Sequence, residues 1–220
     1  MKNHSEAICW EKNGWMNYSF SACLQWLDHT GKKRFGERFR IYKEDHPLLY
    51  KLLVYAISDK ENIRRLGMHA NKGILLSGPV GCGKTSLMTM VSQFCSKEKQ
   101  YNLISAREVT IRFAREGYGT IDRYSTQSYR FSNIGYQPVV YCFDDLGTDR
   151  PIQYFGNECN VMGEILLGRY DHFVKKGMLT HATTNLSATE LEKLYGNRLR
   201  SRMREMFNLV SFPENSVDKR

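Results

Sequence analysis

The sequence has no long hydrophobic run. Its uncharged apolar stretches, such as 138–143, fall far short of the ~20 residues a membrane helix needs, which excludes a spanning protein. Nor does an apolar segment follow Met1: residues 1–11 mix Lys, His, Glu and Asn, so export is not expected and a cytoplasmic location is. None of the six cysteines (Cys9, Cys23, Cys82, Cys95, Cys142, Cys159) forms a C-x-x-C pair or stands at zinc-finger spacing from histidine. They read as reduced, mostly buried small side chains, and a structural metal is not expected. Internal repeats and low-complexity tracts are also missing, which excludes a repeat architecture.

What is present is a chain of 220 residues, 41% hydrophobic and 25% charged, the composition of a water-soluble globule with enough apolar side chains for a core. Lys and Arg number 32 against 23 Asp and Glu, a net charge of +9. That excess fits a polyanionic partner bound through counterion release, and fits equally a basic, well-solvated surface.

Residues 1–45 carry no sustained periodicity and read as an N-terminal extension; residues 46–214 read as one domain and 215–220 as a C-terminal tail. From Pro47, the residues Leu48, Leu49, Leu52, Leu53, Tyr55 and Ala56 recur at helical spacing. Short runs at 73–77, 102–105, 138–143, 178–183 and 207–212 read as strands, and helices are expected over 84–97, 107–115, 158–176, 187–194 and 197–205. Residues 117–137, rich in Gly, Ser, Tyr and Arg, read as a long loop or insertion. Apolar strands alternating with helices predict a parallel sheet covered on both faces, an α/β three-layer αβα sandwich.

Gly78-Pro79-Val80-Gly81-Cys82-Gly83-Lys84-Thr85 matches G-x-x-x-x-G-K-[ST] at every fixed position, between an expected strand and an expected helix. Glycines at 78, 81 and 83 let backbone N–H groups turn inward around phosphate oxygens, and the helix opening at Lys84 adds the positive end of its dipole. Lys84 reaches the β- and γ-phosphates as a point charge, Thr85 offers a hydroxyl to Mg²⁺, and Ser86 completes the nucleotide-binding set. Asp144 and Asp145 close an apolar strand at the sheet edge where ligands bind. Asp144 is expected to hold Mg²⁺ through water, and Asp145 to orient and polarise the attacking water. Asn185 ends Thr183-Thr184-Asn185, where its amide suits the same water or the γ-phosphate; the triplet also makes a turn before Ser187. Arg198, Arg200, Arg202 and Arg204 alternate, which puts 198 and 202 on one helical face. That face suits an arginine finger reaching a neighbouring subunit, or is simply basic.

At these residues the sequence resembles the DnaC/IstB branch of the AAA+ ATPases, which comprises helicase loaders and the ATP-binding partners of transposases. The likeness is carried by 78–85, by Asp144-Asp145-Leu146-Gly147, by 163–170 and by 183–187, and spans about 47–212. Residues 197–203 are also similar to the arginine-bearing region of loaders and of the initiator DnaA. The resemblance implies an ATPase switch with ATP and Mg²⁺ as cofactors. Lys84 and Thr85 become the Walker A pair, Asp144 and Asp145 the Walker B pair, Asn185 sensor 1, and Arg202 or Arg198 the trans-acting finger. It implies an ATP-bound homo-oligomer acting in replication or transposition, with DNA (single-stranded by expectation) and a replicative helicase or transposase as partners. Eight residues follow Phe212, too few for the helical lid of many AAA+ proteins, so a lidless form is expected. Tyr118, Arg123, Tyr124, Tyr129, Arg130, Phe131 and Tyr136 suit stacking on unpaired bases, or tyrosines folded back on the core. Two other readings stay open: a nucleotide-dependent protein adaptor with little hydrolysis, and a small-molecule kinase.

Overall fold

A computed structural model describes residues 8–133, 135–213, 216, 218 and 219. The expectations for residues 1–7, and for 214, 215, 217 and 220 at the other end, lie outside the described residues. The chain opens with an antiparallel hairpin, β1 (Cys9–Lys12) and β2 (Trp15–Tyr18), then α1 (Phe20–Phe35), α2 (His46–Ala56) and α3 (Lys60–Arg65). Five parallel strands follow: β3 (Gly73–Ser77), β4 (Asn102–Ser105), β7 (Tyr141–Leu146), β10 (Thr180–Thr184) and β11 (Phe207–Ser211), in spatial order β11-β3-β10-β7-β4. Between them run α4 (Lys84–Val91), α5 (Ala106–Glu116), α6 (Gly119–Tyr124), α7 (Val161–Lys176) and α8 (Ala188–Met206). Two further hairpins are inserted: β5 (Tyr129–Ser132) with β6 (Gly135–Pro138), and β8 (Ile152–Tyr154) with β9 (Asn157–Cys159).

The three-layer αβα expectation holds, and the side-chain alternation of the strands explains why. In β3, Ile74 and Leu76 join a cluster with α1, α2 and α4, while Leu75 joins the opposite cluster with α5, α7 and α8. Cys142 and Phe143 of β7 divide in the same way. A strand buried on both faces must be apolar at successive positions, which is what the sequence shows. At ~1.5–3 kcal/mol for each fully buried large apolar side chain, the two clusters supply most of the driving force.

Several elements depart from the sequence expectation. Helix α1 was not legible within 1–45, because its buried positions Cys23, Leu27 and Gly31 form a one-residue-wide stripe. Ser19 caps it, and it packs against α4. The helix expected over 84–97 stops at Val91 and continues as a 3-10 turn, Ser92–Phe94. The loop expected over 117–137 is instead α6 and the β5–β6 hairpin, and Pro138 belongs to that hairpin, opposite Tyr129. The strand expected to close at Phe143 runs on through Leu146, with Asp144 paired to Ser105 and Leu146 to Thr184. Helix α7 starts at Val161, not 158, because Asn160 caps it by accepting from the Gly163 N–H. The helices expected over 187–194 and 197–205 are both present, joined at Gly196, whose φ of 82° breaks the helical path between them.

Candidate functional site

The loop 78–83 leaves β3 at the carboxyl edge of the sheet and feeds α4. Gly81 and Gly83 adopt φ of 82° and 97°, a region closed to most side chains, so the loop backbone folds as its glycines allow. Gly78 donates its N–H to the Thr184 carbonyl at 3.2 Å, tying the loop to β10. Lys84 is buried, and its Nζ donates to the carbonyls of Gly78 and Pro79, both at 2.8 Å.

Beside the loop, the middle of the sheet presents a connected set of polar groups. Thr85 Oγ1 donates to the Asp144 carboxylate at 2.9 and 3.1 Å. Thr183 Oγ1 donates to the same carboxylate at 2.7 Å and accepts the Asp145 N–H at 2.9 Å. Burial raises the Asp144 pKa, against the opposing pull of the Thr183 and Thr85 hydroxyls. Among the described residues no ion pair reaches Asp144; its buried carboxylate accepts from two hydroxyls, with the Lys84 charge acting on it from farther away. A divalent cation fits that donor set: one carboxylate and one hydroxyl are what Mg²⁺ takes from protein when phosphates and water fill the rest. Asp145 sits at φ 55°, a left-handed conformation that Asp tolerates better than most residues.

The structure thus brings Lys84, Thr85, Asp144 and Asp145 to one edge. Asn185 lies exposed just past β10 at the same edge. Thr183 was missed by sequence reasoning as the partner of Asp144; its signal was a hydroxyl in the strand that neighbours the carboxylates. Arg198 and Arg202 are not brought to this site. They ride on α8, which leaves that edge after β10 and ends at the start of β11 on the far edge. Arg198 is exposed, and the Arg202 guanidinium lies 4.7 Å from the ring centroid of Tyr170. The Cys82 thiol is buried, which raises its pKa and keeps it unreactive. A cavity of about 380 Å³ lies next to the loop, lined by the apolar Phe39, Ile41 and Leu87 and also by Gly81, Asp45 and Lys219.

Solved structures similar in fold include the replication initiator DnaA bound to AMPPCP and single-stranded DNA. It is 20% identical, with a TM-score of 0.50 over 82% of this chain and 50% of that one. The likeness is one of fold, a parallel sheet covered by helices on both faces. A DNA replication initiation factor is similar at 17% identity and a TM-score of 0.50, over 80% of this chain and 48% of that one. The DnaC helicase loader is 17% identical, with a TM-score of 0.48 over 73% of this chain and 91% of that one. The chain therefore spans about half the length of the two initiators. No protein-family model matches the chain, and neither does any curated protein sequence.

Proposed function

We propose that this chain is an AAA+ P-loop ATPase that binds and hydrolyses ATP as a replication- or transposition-linked switch of the DnaC/IstB kind. The observation that carries the reading is the hydrogen-bonded set Thr85–Asp144–Thr183–Asp145 built against the glycine loop. A binding-only loop needs Lys84 and the glycines; a paired carboxylate edge adds a place for Mg²⁺ and for the attacking water. In this reading Gly78 to Ser86 cradle the phosphates, and Thr85 and Asp144 hold Mg²⁺, which would neutralise charge on the phosphates. Asp145 orients the water, and Asn185 steadies it from the next strand. The apolar cavity beside the loop takes the base. The finger comes from a neighbouring subunit in an ATP-bound homo-oligomer. Arg198 is the freer of the two candidates, because Arg202 already lies on its own Tyr170.

DNA is the partner supported by charge and by the β5–β6 hairpin. Phe131 and Tyr136 face each other across that hairpin, 78% and 74% exposed, with ring centroids 5.5 Å apart. Arg130 stands beside them, and its Nη2 donates to the Lys97 carbonyl. Exposed aromatics next to basic groups suit unpaired bases and their phosphates. A replicative helicase or a transposase is the protein partner implied by the family resemblance.

Turnover of ATP by wild type, Lys84→Ala, Asp145→Asn, Arg198→Ala and Arg202→Ala, with and without single-stranded DNA, tests the reading. Lys84→Ala should lose nucleotide binding. Asp145→Asn should bind ATP but hydrolyse it ~10²-fold or more slowly, the scale of a lost general base. A finger variant should regain turnover when mixed with Lys84→Ala subunits, because each supplies what the other lacks. Unchanged ATP binding by Lys84→Ala would refute the nucleotide site. Binding without any turnover would favour the adaptor reading.

A further inference from the structure

Asp218 and Lys219 lie against the glycine loop and are fastened there. The Lys219 ammonium makes an ion pair with Asp45, and both side chains are nearly covered, 11% and 6% exposed. The same ammonium lies 4.9 Å from the ring centroid of Phe212 and 5.1 Å from that of Tyr42. The Lys219 backbone N–H donates to the carbonyl of Gly81, inside the loop, at 3.0 Å. One residue earlier, the Asp218 carboxylate presses on Gly81 so closely that a side chain there would collide with it. The fastening therefore joins the segment before α2, the strand end at Phe212 and the phosphate loop through a single lysine. It also delivers a negative charge to the loop.

We propose that Asp218 and Lys219 form an autoinhibitory clasp on the nucleotide site, in which Lys219 is the latch and Asp218 the competing anion; it presupposes that the loop holds a nucleotide, as argued above. The loop is built to gather negative charge, with inward N–H groups and the opening of α4 behind them. A carboxylate held against Gly81 and an incoming polyphosphate contest the same field, and two like charges a few ångströms apart repel strongly at partial burial. Lys84 is consistent with a loop turned in on itself, since its Nζ spends its hydrogen bonds on the carbonyls of Gly78 and Pro79. The clasp also borders the space proposed for the base, because Asp45 and Lys219 are among the residues lining the 380 Å³ cavity. Binding of ATP then requires the clasp to leave. Anything that captures Lys219 or displaces Asp45 raises nucleotide affinity.

The test is equilibrium binding of fluorescent ATP to wild type, Asp218→Asn, Lys219→Ala and Lys84→Ala, with hydrogen exchange at the Lys219 amide before and after ATP is added. Asp218→Asn keeps the latch and removes the charge at nearly constant shape; thermal unfolding verifies the folding of both variants, since Lys219→Ala leaves Asp45 without its ion pair. Asp218→Asn should bind ATP about tenfold more tightly than wild type, the scale expected when one nearby like charge is removed, and Lys219→Ala should also bind more tightly, because the latch that holds the carboxylate at the loop is gone. In wild type, ATP should speed exchange at the Lys219 amide as its bond to Gly81 is given up. If both variants bind no tighter, or if ATP slows that exchange, the segment closes over the nucleotide and the clasp is refuted. ATP binding by wild type that Lys84→Ala abolishes shows the nucleotide site itself to be sound in that case. If wild type and both clasp variants fail to bind ATP, the nucleotide reading falls and the clasp with it.

Discussion

Arg169 offers the sharpest check on how this fold holds its site. Its guanidinium is completely buried, and each of its five N–H groups has an acceptor. Nε donates to Thr180 Oγ1 at 2.7 Å. Nη1 donates to the Tyr124 carbonyl at 2.9 Å and to Ser128 Oγ at 3.2 Å, and Nη2 to the carbonyls of Val139 and Leu179 at 3.0 and 2.8 Å. Tyr141 and Phe143 present their rings at 5.5 and 5.8 Å. Burial pulls the guanidinium pKa down to about 9, which leaves it charged at neutral pH. The side chain therefore staples α7 to the approaches of β7 and β10, the two strands that carry Asp144 and Thr183. Arg169→Met keeps much of the volume and removes all the donors. Two of the abandoned acceptors are hydroxyls that can rotate, but three are carbonyls that cannot, each costing ~1–3 kcal/mol when left unpaired in the interior. Relief from burying a charge offsets part of this, for a net loss of about 4 kcal/mol. Urea unfolding followed by circular dichroism measures it, with Arg169→Lys expected to fall between the two. A loss under ~1 kcal/mol for Arg169→Met would show that water or repacking replaces the staple, and the reasoning would be wrong.

His181 gives a pH prediction. It is fully buried, its Nδ1 accepts the Ile74 N–H at 3.0 Å, and burial first, then the nearby Arg169, drives its pKa down to about 3. Below an ordinary value near 6.5 the unfolded chain takes up a proton that the folded chain refuses, so this residue's share of stability declines as pH falls from about 6.5 toward about 3. Between pH 7.5 and 5.0 wild type should lose ~2 kcal/mol more than His181→Gln, and parallel losses would contradict the assignment. At the β5–β6 hairpin, Phe131→Ala and Tyr136→Ala should each weaken single-stranded DNA binding by ~1–3 kcal/mol without altering its salt dependence. Arg130→Ala should instead flatten that dependence, and fluorescence anisotropy across a salt series separates the two; aromatic variants that bind like wild type would remove the hairpin from the DNA reading.

What was legible in the sequence, and what was not, follows from the range of the physics involved. The glycine loop is a local device: positive φ at Gly81 and Gly83 and the lysine after them are written in consecutive residues. Strand β3 is nearly as local, since its Gly73–Ser77 run is apolar on both covered faces; β10 is buried throughout yet mostly Thr and His, whose polar groups find partners across the sheet. Asp144 and Asp145 looked like the end of a strand because carboxylates are costly to bury. They remain in β7 because two hydroxyls, one 59 residues before Asp144 and one 39 after it, reach the Asp144 carboxylate. The same holds for α1, whose narrow stripe becomes a core element only against α4, and for 117–137, where Tyr129 is fixed by its 2.7 Å hydrogen bond to His172 on α7. Contacts distant in sequence thus fix elements that local pattern does not show, while the short hairpins β1–β2 and β8–β9 were missed although their partners are adjacent. By that logic the clasp is the least legible of all, because its ion pair joins Asp45 to a lysine 174 residues away. It also joins the residues ahead of α2 to the phosphate loop. A nucleotide that loosens Lys219 therefore loosens a contact of the chain's first third, and binding at the sheet edge gains a route to the surface around α1 and α2.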